Sequence, residues 1–363
     1  MRRYDAHDGG NMEYRQLGRS GLRVSVLTLG TMTFGGRGAF AKTGSTDVVG
    51  ARRLIDISVG AGINLLDTAN MYSLGLSEEI IGEALGDKRE QVLISTKARM
   101  RVGDGPNDAG ASRWHIIEQC EKSLKRLRTD RIDLYFLHEW DGQTPLEETL
   151  EALDTLVRTG KVRYVGCSNY SGWHLMKALG VSERLGYQRF VSQQIHYSLQ
   201  AREAEYELVP IAIDQGVGIM VWSPLAGGLL SGKYRRGQNP SSGRHLNDWG
   251  EPPVRSKEQL FDIVNVLLAI AQNRGASAAQ VALAWLLGRP GVASLVIGAR
   301  TEEQLAENIA AAGLTLTQDE TEALEVASAP PLLYPYWHQA KTASDRLSPA
   351  DLALLRPYVA SSA

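Results

Sequence analysis

Four polar side chains that together suit carbonyl chemistry each follow an apolar run of this sequence. Asp67 ends INLLD, Lys97 ends VLISTK and His138 ends IDLYFLH, while Tyr72 lies a short way beyond Asp67. A carboxylate, an ammonium, a phenol and an imidazole held close together can deliver a proton to a carbonyl oxygen. Each residue alone has an ordinary structural role, so their combination at successive strand ends is what indicates catalysis.

The phenol of Tyr72 is the candidate proton donor. The unperturbed pKa of tyrosine is about 10, and a neighbouring ammonium such as that of Lys97 lowers it by stabilising the phenolate. Asp67 can hold Lys97 in place through an ion pair, and His138 can orient a substrate oxygen. These residues therefore predict a general acid whose pKa is set by an ion pair.

Motifs for rival chemistries are missing from the sequence. The nucleophile pattern G-x-S-x-G fails at the last residue of GCSNY (166–170), and no H-E-x-x-H spacing marks a zinc site. We therefore expect no metal, and a metal-dependent barrel hydrolase is disfavoured. A proton donor with neither a nucleophile nor a metal needs a hydride from elsewhere, which implies a nicotinamide cofactor.

Eight short apolar runs alternate with amphipathic stretches along the chain. The runs lack strict polar alternation, which is typical of parallel strands covered on both faces. The predicted strands are VLTLG (26–30), INLLD (63–67), VLISTK (92–97), IDLYFLH (132–138), VRYVGCSN (162–169), FVSQQ (190–194), GIMVWSP (218–224) and VASLVIG (292–298). Eight strands each followed by a helix predict an α/β fold, the (β/α)8 TIM barrel.

Capping residues and acidic first turns predict helices between these strands. The predicted helices begin after 45–47, at Ser77, and after Ser112, Pro145, Ser171 and Thr301. A doubly wound sheet is the structural rival, but its G-x-G-x-x-G dinucleotide signature occurs nowhere in the chain.

Three segments fall outside the eightfold pattern. Residues 12–25 predict a short hairpin that plugs the barrel. Residues 226–255 are rich in Gly, Ser, Arg and Asn and predict a long loop after the seventh strand, and loops of that length are usually functional or disordered. We expect one barrel domain over residues 12–328 and a C-terminal tail, 329–363, that packs near the barrel mouth.

The composition argues against several classes of partner. A net charge of −2 gives no basic surface for nucleic acid or anionic lipid, and no apolar run approaches the about 18 residues of a membrane span. Cys120 and Cys167 form neither a disulfide framework nor a zinc site. We expect a cytoplasmic protein that acts on a small molecule, with no nucleic-acid or membrane partner; the sequence leaves the oligomeric state open.

The motifs at the strand ends resemble those of the aldo-keto reductases over residues 14–329. NLLDTANMY is similar to the family's DTA-x-x-Y signature, LISTK to its lysine strand and DLYFLH to its histidine strand. The resemblance implies a catalytic tetrad of Asp67, Tyr72, Lys97 and His138. It also implies reduction of an aldehyde or ketone to an alcohol with hydride from NADPH, or the reverse oxidation of an alcohol.

The resemblance also implies the cofactor-binding residues. Those near the nicotinamide and the substrate would be Thr31, Met32, Ser168, Asn169, Gln194 and Trp222. Those near the phosphates and the adenosine would be Ser223, Pro224, Leu225, Gly227, Lys233, Arg244, Gly298, Arg300, Gln304, Glu307 and Asn308. The helix that begins at Thr301 can offer free N–H groups to a phosphate.

The last cofactor segment departs from the best-known family members, which carry a lysine-serine pair and a later arginine. Here those positions are Gly298-Ala299 and Gln304, and the motifs SGKY and EQLAEN are similar to the bacterial and potassium-channel β-subunit branches. Arg300 and Lys233 can still meet a 2′-phosphate, which favours NADPH over NADH. The alternative function is an NADPH-binding redox sensor or regulatory subunit with slow turnover, against which the intact tetrad argues.

Aromatic side chains are the candidate walls of the substrate pocket. Met32, Trp140, Trp249 and the tail residues Tyr336 or Trp337 are the candidates, although packing of the tail on the barrel explains its aromatics equally well. An aromatic pocket favours a hydrophobic or polycyclic carbonyl over a small sugar aldehyde.

Overall fold

A closed parallel barrel forms the centre of the computed structural model, which describes residues 12–238, 245 and 250–359. Its strands, numbered along the chain, are β1 Tyr14–Gln16, β2 Arg23–Ser25, β3 Leu27–Gly30, β4 Leu65–Asp67, β5 Leu93–Ala98, β6 Ile132–Leu137, β7 Val162–Ser168, β8 Ser192–His196, β9 Gly218–Trp222 and β10 Val292–Ile297. Strands β3 to β10 pair in chain order, and β10 closes the barrel on β3. The predicted TIM barrel is confirmed.

Helices surround the barrel and alternate with its strands. They are α1 Val48–Gly60, α2 Leu76–Leu85, α3 Arg113–Leu127, α4 Leu146–Arg158, α5 Gly172–Leu185, α6 Leu208–Gln215, α7 Lys257–Arg274, α8 Ala278–Leu287, α9 Glu302–Ala310, α10 Gln318–Ala327, α11 Tyr336–Thr342 and α12 Leu352–Leu355. Side chains of Asp47, Ser112, Ser171 and Thr301 accept backbone N–H groups at the starts of α1, α3, α5 and α9, as their sequence predicts.

The predicted start of α2 at Ser77 is wrong. The helix begins at Leu76 after Gly75, whose φ is 89°, and the Ser77 side chain is buried rather than capping the helix. Its hydroxyl donates to the carbonyl of Thr31 at 2.9 Å. A serine followed by two acidic residues is a typical helix N-cap. Here, however, the hydroxyl forms a tertiary hydrogen bond to the residue after β3 and is not available to cap the helix.

Several predicted strand ends are also displaced. Asn169 and Ser223 fall outside β7 and β9 because their φ angles are 56° and 50°, in the left-handed region that ends a strand. Strand β8 covers residues 192–196 instead of 190–194, because it pairs with β7 and β9 in that register. The shift places His196 at a strand end, where the sequence did not predict a site residue.

The part of the chain after β9 contains more helix than expected. Residues 226–231 of the predicted loop form a 3-10 helix, and α7 and α8 follow before β10. Residues 239–244 and 246–249 lie outside the described residues, and they include the predicted site residue Arg244 and the candidate wall residue Trp249. Helices α6 and α10 were not predicted either.

The N-terminal hairpin closes the barrel at the start of its strands. Leu17 and Val24 join an inner core with Leu65, Phe136 and Met220. Gly18, with φ of 58°, passes so close to the barrel that a Cβ there would lie 2.3 Å from the carbonyl of Val191. The hairpin between β1 and β2 therefore plugs this end, as its sequence predicts.

The tail packs on the loop that leaves β8 and on α6. Tyr206 donates its hydroxyl to the carbonyl of Pro331 and stacks on Tyr336, with ring centroids 5.3 Å apart. Tyr358 donates to the carbonyl of Pro330 at 3.1 Å, and α12 packs against α6. The domain boundary and the tail's place near the mouth stay predictions.

Across the described ranges, none of the helices has the length and apolar character needed to cross a bilayer.

Gly166 in β7 lies in a tightly packed part of the barrel. A Cβ at Gly166 would lie 2.4 Å from Cε1 of Phe136 and 2.8 Å from the carbonyl oxygen of Ser192. We expect Gly166→Ala to lower the free energy of unfolding by about 1–3 kcal/mol, measured by urea unfolding. The control is Gly180→Ala in α5, where nothing lies within 4 Å of the new methyl group and a gain of about 0.5–1 kcal/mol is expected. Equal unfolding midpoints for the two variants would contradict this packing.

Candidate active site

A buried ion pair lies at the centre of the barrel mouth. Nζ of Lys97 at the end of β5 lies 2.6 Å from Oδ2 of Asp67 at the end of β4, and also donates to the carbonyl of Thr68 at 2.8 Å. Lys97 is 0% exposed and Asp67 is 2% exposed. The pairing of β4 with β5 brings these two predicted residues together.

The other carboxylate oxygen of Asp67 is held by two further donors. Ser95 Oγ donates to Oδ1 at 2.6 Å, and Gln194 Nε2 donates to the same oxygen at 2.9 Å. Gln194 comes from β8, on the opposite side of the eight-stranded barrel from β4. Both oxygens of the carboxylate are therefore satisfied, which is what a buried charge requires.

The surroundings of Lys97 keep it charged. Burial by itself lowers the pKa of Lys97, but the charge of Asp67 and a smaller effect of Tyr72 raise it, and the net pKa lies above the usual lysine value. An ammonium is therefore present beneath the mouth at neutral pH.

Tyr72 lies against this ammonium. Nζ of Lys97 is 5.2 Å from the centroid of the Tyr72 ring, and the rings of His138 and Phe40 meet Tyr72 edge to face at 5.8 and 5.5 Å. Burial raises the pKa of Tyr72, Lys97 lowers it by a smaller amount, and the net pKa lies above 10.0. Lys97 thus acts on the pKa of Tyr72 in the expected direction, but desolvation of the phenolate outweighs it.

The segment after Tyr72 has an unusual backbone. Ser73, Leu74 and Gly75 have φ of 51°, 58° and 89°. The buried hydroxyl of Ser73 stabilises this turn: it donates to the carbonyl of Phe34 at 3.1 Å and accepts the N–H of Gly36 at 3.0 Å. Strained conformations cluster where the surrounding structure holds a functional side chain. Here the loop after β3 holds the turn that carries Tyr72.

His138 at the end of β6 is neutral. Burial, with the charges of Lys97 and Arg99, holds the pKa of His138 well below its usual value. Its Nδ1 atom is buried and has no hydrogen-bond partner among the described residues. A neutral imidazole with an unsatisfied nitrogen is suited to a hydrogen bond with a substrate oxygen.

The residues predicted near the nicotinamide lie around the same mouth. Thr31 Oγ1 donates to the carbonyl of Asp67 at 2.9 Å. Ser168 Oγ donates to the carbonyl of Gln194 at 2.9 Å, and Trp222 Nε1 donates to Oδ1 of Asn169 at 3.0 Å. These bonds join the ends of β7, β8 and β9. Met32, beyond β3, is half-buried.

A tight turn follows β9. Ser223 Oγ accepts the N–H of Gly227 at 2.9 Å, and Gly227 has φ of 66°. The intervening Pro224 is buried, and Leu225 packs on the outer core. Lys233 lies further along and is exposed.

The predicted adenosine segment forms a second turn, between β10 and α9. Asn308 donates to the carbonyl of Gly298 at 3.3 Å, and the Gln304 side chain accepts the N–H of Arg300 at 3.0 Å. Arg300, Gln304 and Glu307 are exposed.

Several residues at the mouth were not predicted. Ser95 and Thr68 bind the ion pair directly. Thr68 is adjacent to Asp67, and Ser95 lies two residues before Lys97, so their positions next to predicted residues could have identified them. His196 stacks at a tilt on Trp222 with ring centroids 4.7 Å apart. Arg99 follows β5 directly, and its φ of 119° is outside the range of a strand.

The candidate wall residue Trp140 belongs to an aromatic cluster. Its ring stacks on His174 at 3.9 Å and meets Tyr170 edge to face at 5.2 Å. Trp173 extends the cluster outward and is 61% exposed. Tyr336 and Trp337 lie in α11, where Tyr336 contacts Tyr206.

No group of three or more His, Cys, Asp or Glu side chains placed to hold a metal occurs within residues 12–238 or 250–359.

The ion pair can be tested by removing its carboxylate. Asp67→Asn leaves the ammonium of Lys97 uncompensated in a dry site, and we expect the free energy of unfolding to fall by about 3–5 kcal/mol at neutral pH. The pKa of Lys97 in the folded variant then lies below the unfolded value of about 10.4, so the deficit shrinks as the pH rises toward that value. Urea unfolding at neutral and alkaline pH measures both effects.

The control for this prediction removes an exposed carboxylate by the same substitution. Asp56 pairs with Lys88 at the surface, and Asp56→Asn should change stability by less than about 1 kcal/mol. Similar losses in the two variants would show that the buried pair contributes no more than a surface pair.

Comparison with known proteins agrees with this geometry. The profile of the Aldo/keto reductase family matches residues 26–329. The uncharacterized oxidoreductase YrpG of Bacillus subtilis is 42% identical over 319 residues, covering 85% of this chain and 93% of YrpG. A probable voltage-gated potassium channel subunit beta of Oryza sativa is 39% identical over 307 residues, covering 83% and 91%. The versiconal hemiacetal acetate reductase of Aspergillus parasiticus is 35% identical over 347 residues, covering 89% and 99%. The chain is thus an oxidoreductase and a member of the aldo/keto reductase family.

Proposed function

We propose that this protein reduces aldehyde or ketone carbonyls to alcohols with NADPH, and catalyses the reverse reaction when alcohol and NADP⁺ are supplied. The observation that carries the proposal is the ammonium of Lys97, buried with Asp67 and placed 5.2 Å from the Tyr72 ring. Family members typically depend on NAD(P)H.

The residues at the mouth fit a nicotinamide dinucleotide. Gly298 has open space where a Cβ would lie, which lets a ligand approach the backbone, and α9 begins just beyond it with N–H groups suited to a phosphate. Trp222 is only partly buried, so one face of its indole ring is accessible for stacking with a flat ligand ring. We assign Trp222 and the Ser168–Asn169 pair to the nicotinamide side, and Arg300 with the start of α9 to the adenosine phosphate. Bound NADPH supplies a hydride to the carbonyl carbon.

The chain's own residues supply the proton. The substrate oxygen accepts hydrogen bonds from the Tyr72 hydroxyl and from a His138 ring nitrogen, which fix its position. Because burial raises the pKa of Tyr72, its hydroxyl is protonated at neutral pH and ready to donate. As the oxygen gains charge, the Tyr72 proton moves to it, and the ammonium of Lys97 stabilises the phenolate that remains.

Asp67 acts through Lys97. Without the carboxylate, burial would favour the neutral amine and the phenolate of Tyr72 would lose its counter-charge. Each unit by which the charged Lys97 lowers the pKa of Tyr72 is worth about 1.4 kcal/mol to the proton transfer. We infer that Asp67 keeps Lys97 charged throughout turnover, so that the ammonium continues to stabilise the phenolate of Tyr72.

A second candidate function is a regulatory or redox-sensing subunit that binds NADPH and turns over slowly. The 39% identity to a protein named as a probable channel β-subunit favours it. The complete set of Asp67, Tyr72, Lys97 and His138 favours catalysis. Fast NADPH oxidation with a carbonyl substrate would decide for the enzyme, whereas tight binding with slow oxidation across aldehydes and ketones would decide for the sensor.

Replacing Tyr72 by phenylalanine removes the proton donor and keeps the ring. We expect Tyr72→Phe to lower kcat by about 10²–10⁴-fold, the usual contribution of a general acid, while the Kd for NADPH stays near the wild-type value. Stopped-flow NADPH oxidation gives the rate, and quenching of protein fluorescence gives the Kd. Wild-type turnover by the variant would refute the role of Tyr72; weakened NADPH binding would show that the ring holds the cofactor.

The choice between NADPH and NADH can be tested at Arg300. A charge-assisted contact with the 2′-phosphate is worth about 1.5–3 kcal/mol, so Arg300→Ala should raise the Kd for NADPH roughly ten- to a hundred-fold and leave that for NADH almost unchanged. Arg300→Lys, which keeps the charge, should recover part of the loss. Equal effects on both cofactors would place the contact with the 2′-phosphate at another residue.

A further inference from the structure

Arg99 is an arginine at the barrel mouth with no assigned role. It follows β5 directly and lies beside His138, whose N–H donates to the carbonyl of Ala98 at 2.9 Å. Its charge contributes to the lowered pKa of His138 and to the pKa values of Glu139 and Tyr170. The register of β5 and β6, with Ala98 opposite Leu137, therefore places Arg99 beside His138 at the barrel mouth.

The backbone of Arg99 is strained. Its φ is 119°, the largest among the non-glycine residues with positive φ in the described ranges. Side chains rarely adopt this region, because Cβ clashes with the backbone there. Its carbonyl accepts the N–H of Gly110 at 2.8 Å, which holds the residue in place. Strained residues of this kind cluster at active sites and ligand-binding positions.

Unlike other arginines of low exposure, Arg99 has no carboxylate partner among the described residues. Arg89, Arg126 and Arg202 each form an ion pair with a carboxylate. Arg99 forms no such ion pair with any described residue, and its Nε atom is buried without a hydrogen-bond partner among them. Glu139 is the neighbouring acid, but one of its oxygens accepts the N–H of Trp140 at 3.0 Å. An unpaired buried donor is costly unless a ligand satisfies it.

The barrel topology separates Arg99 from the proposed nucleotide segments. Arg99 follows β5, whereas the turns that carry Ser223 and Gly298 follow β9 and β10. In the closed barrel, β5 is directly opposite β9 and three strands from β10. An anion that binds Arg99 would therefore belong to the substrate and not to the cofactor phosphates.

We propose that Arg99 binds a carboxylate on the substrate, so that the enzyme prefers carbonyl compounds that carry an anionic group. The inference rests on the proposed function, since it specifies the substrate of the same site. A guanidinium can pair its Nε–H and one terminal N–H with the two oxygens of a carboxylate, which satisfies the buried Nε. The carbonyl of that substrate would lie between Tyr72 and His138, with the carboxylate on the β5 side of the mouth.

The test compares two aldehydes that differ by one negative charge and one methyl group, 4-formylbenzoate and its methyl ester, with the full-length protein and NADPH. We expect a lower KM for the carboxylate in the wild-type protein. Arg99→Gln should raise that KM roughly ten- to a hundred-fold, the loss of a charge-assisted pair, and change the ester's KM by less than about twofold. The Kd for NADPH should not change. Arg99→Lys should recover part of the loss.

The control variant removes a charge from the same loop. Arg101 is exposed, and among the described residues its side chain bonds only to the loop carbonyls of Gly103 and Gly105, so Arg101→Gln should leave both KM values unchanged. Equal KM values for the two aldehydes in the wild type, or equal effects of Arg99→Gln and Arg101→Gln, would overturn the proposal. So would a rise in the Kd for NADPH in Arg99→Gln, since it would assign Arg99 to the cofactor.

A binding measurement separates this inference from the proposed function. Calorimetric titration of the NADP⁺-loaded protein with 4-formylbenzoate and with the ester gives both affinities without turnover. Absence of turnover on both aldehydes would refute the proposed reduction of such substrates. Tighter binding of the carboxylate that Arg99→Gln abolishes would still support the role of Arg99, and equal binding of the two compounds would refute it.

Discussion

The buried ion pair between Lys97 and Asp67 is the interaction on which the rest of the site depends. Two charges without water are costly unless every oxygen and proton has a partner. The barrel supplies those partners from Ser95 on β5 and from Gln194 on β8, which is opposite the strand of Asp67, and the carbonyl of Thr68 accepts a second bond from the ammonium. The strand ends are therefore fixed relative to one another, because a shift of either strand would leave a buried charge unsatisfied.

The ammonium of Lys97 lowers the pKa of both His138 and Tyr72. Burial acts with it at His138 and is the larger cause there, so the imidazole is neutral. Burial acts against the phenolate and prevails, so the phenol remains an acid. The left-handed turn at Ser73, held by the loop after β3, keeps that phenol beside the ammonium. A proton donor and its stabilising charge are thus present together in a site shielded from water.

The circular order of the strands divides the mouth into two sides. The turns after β9 and β10 offer exposed backbone and cationic side chains, including Arg300, at one side. The ends of β5 and β6 place Arg99 and His138 at the other, next to the aromatic cluster around Trp140. Tyr72 and the ion pair, at the ends of β4 and β5, lie at the point where the two sides meet. A cofactor and a substrate can then approach the same phenol from different directions.

Apolar runs, caps and polar strand ends are local signals, and they were sufficient to predict the barrel, its hairpin plug and the position of Asp67, Lys97 and His138 at strand ends. The sequence by itself did not determine that Ser77 binds β3 instead of capping α2, that β8 extends to His196, or that Gln194 reaches Asp67 across the barrel. Those depend on strand register and on contacts between residues far apart in the chain. The raised pKa of Tyr72 and the unsatisfied Nε of Arg99 likewise come from burial, which depends on closure of the barrel.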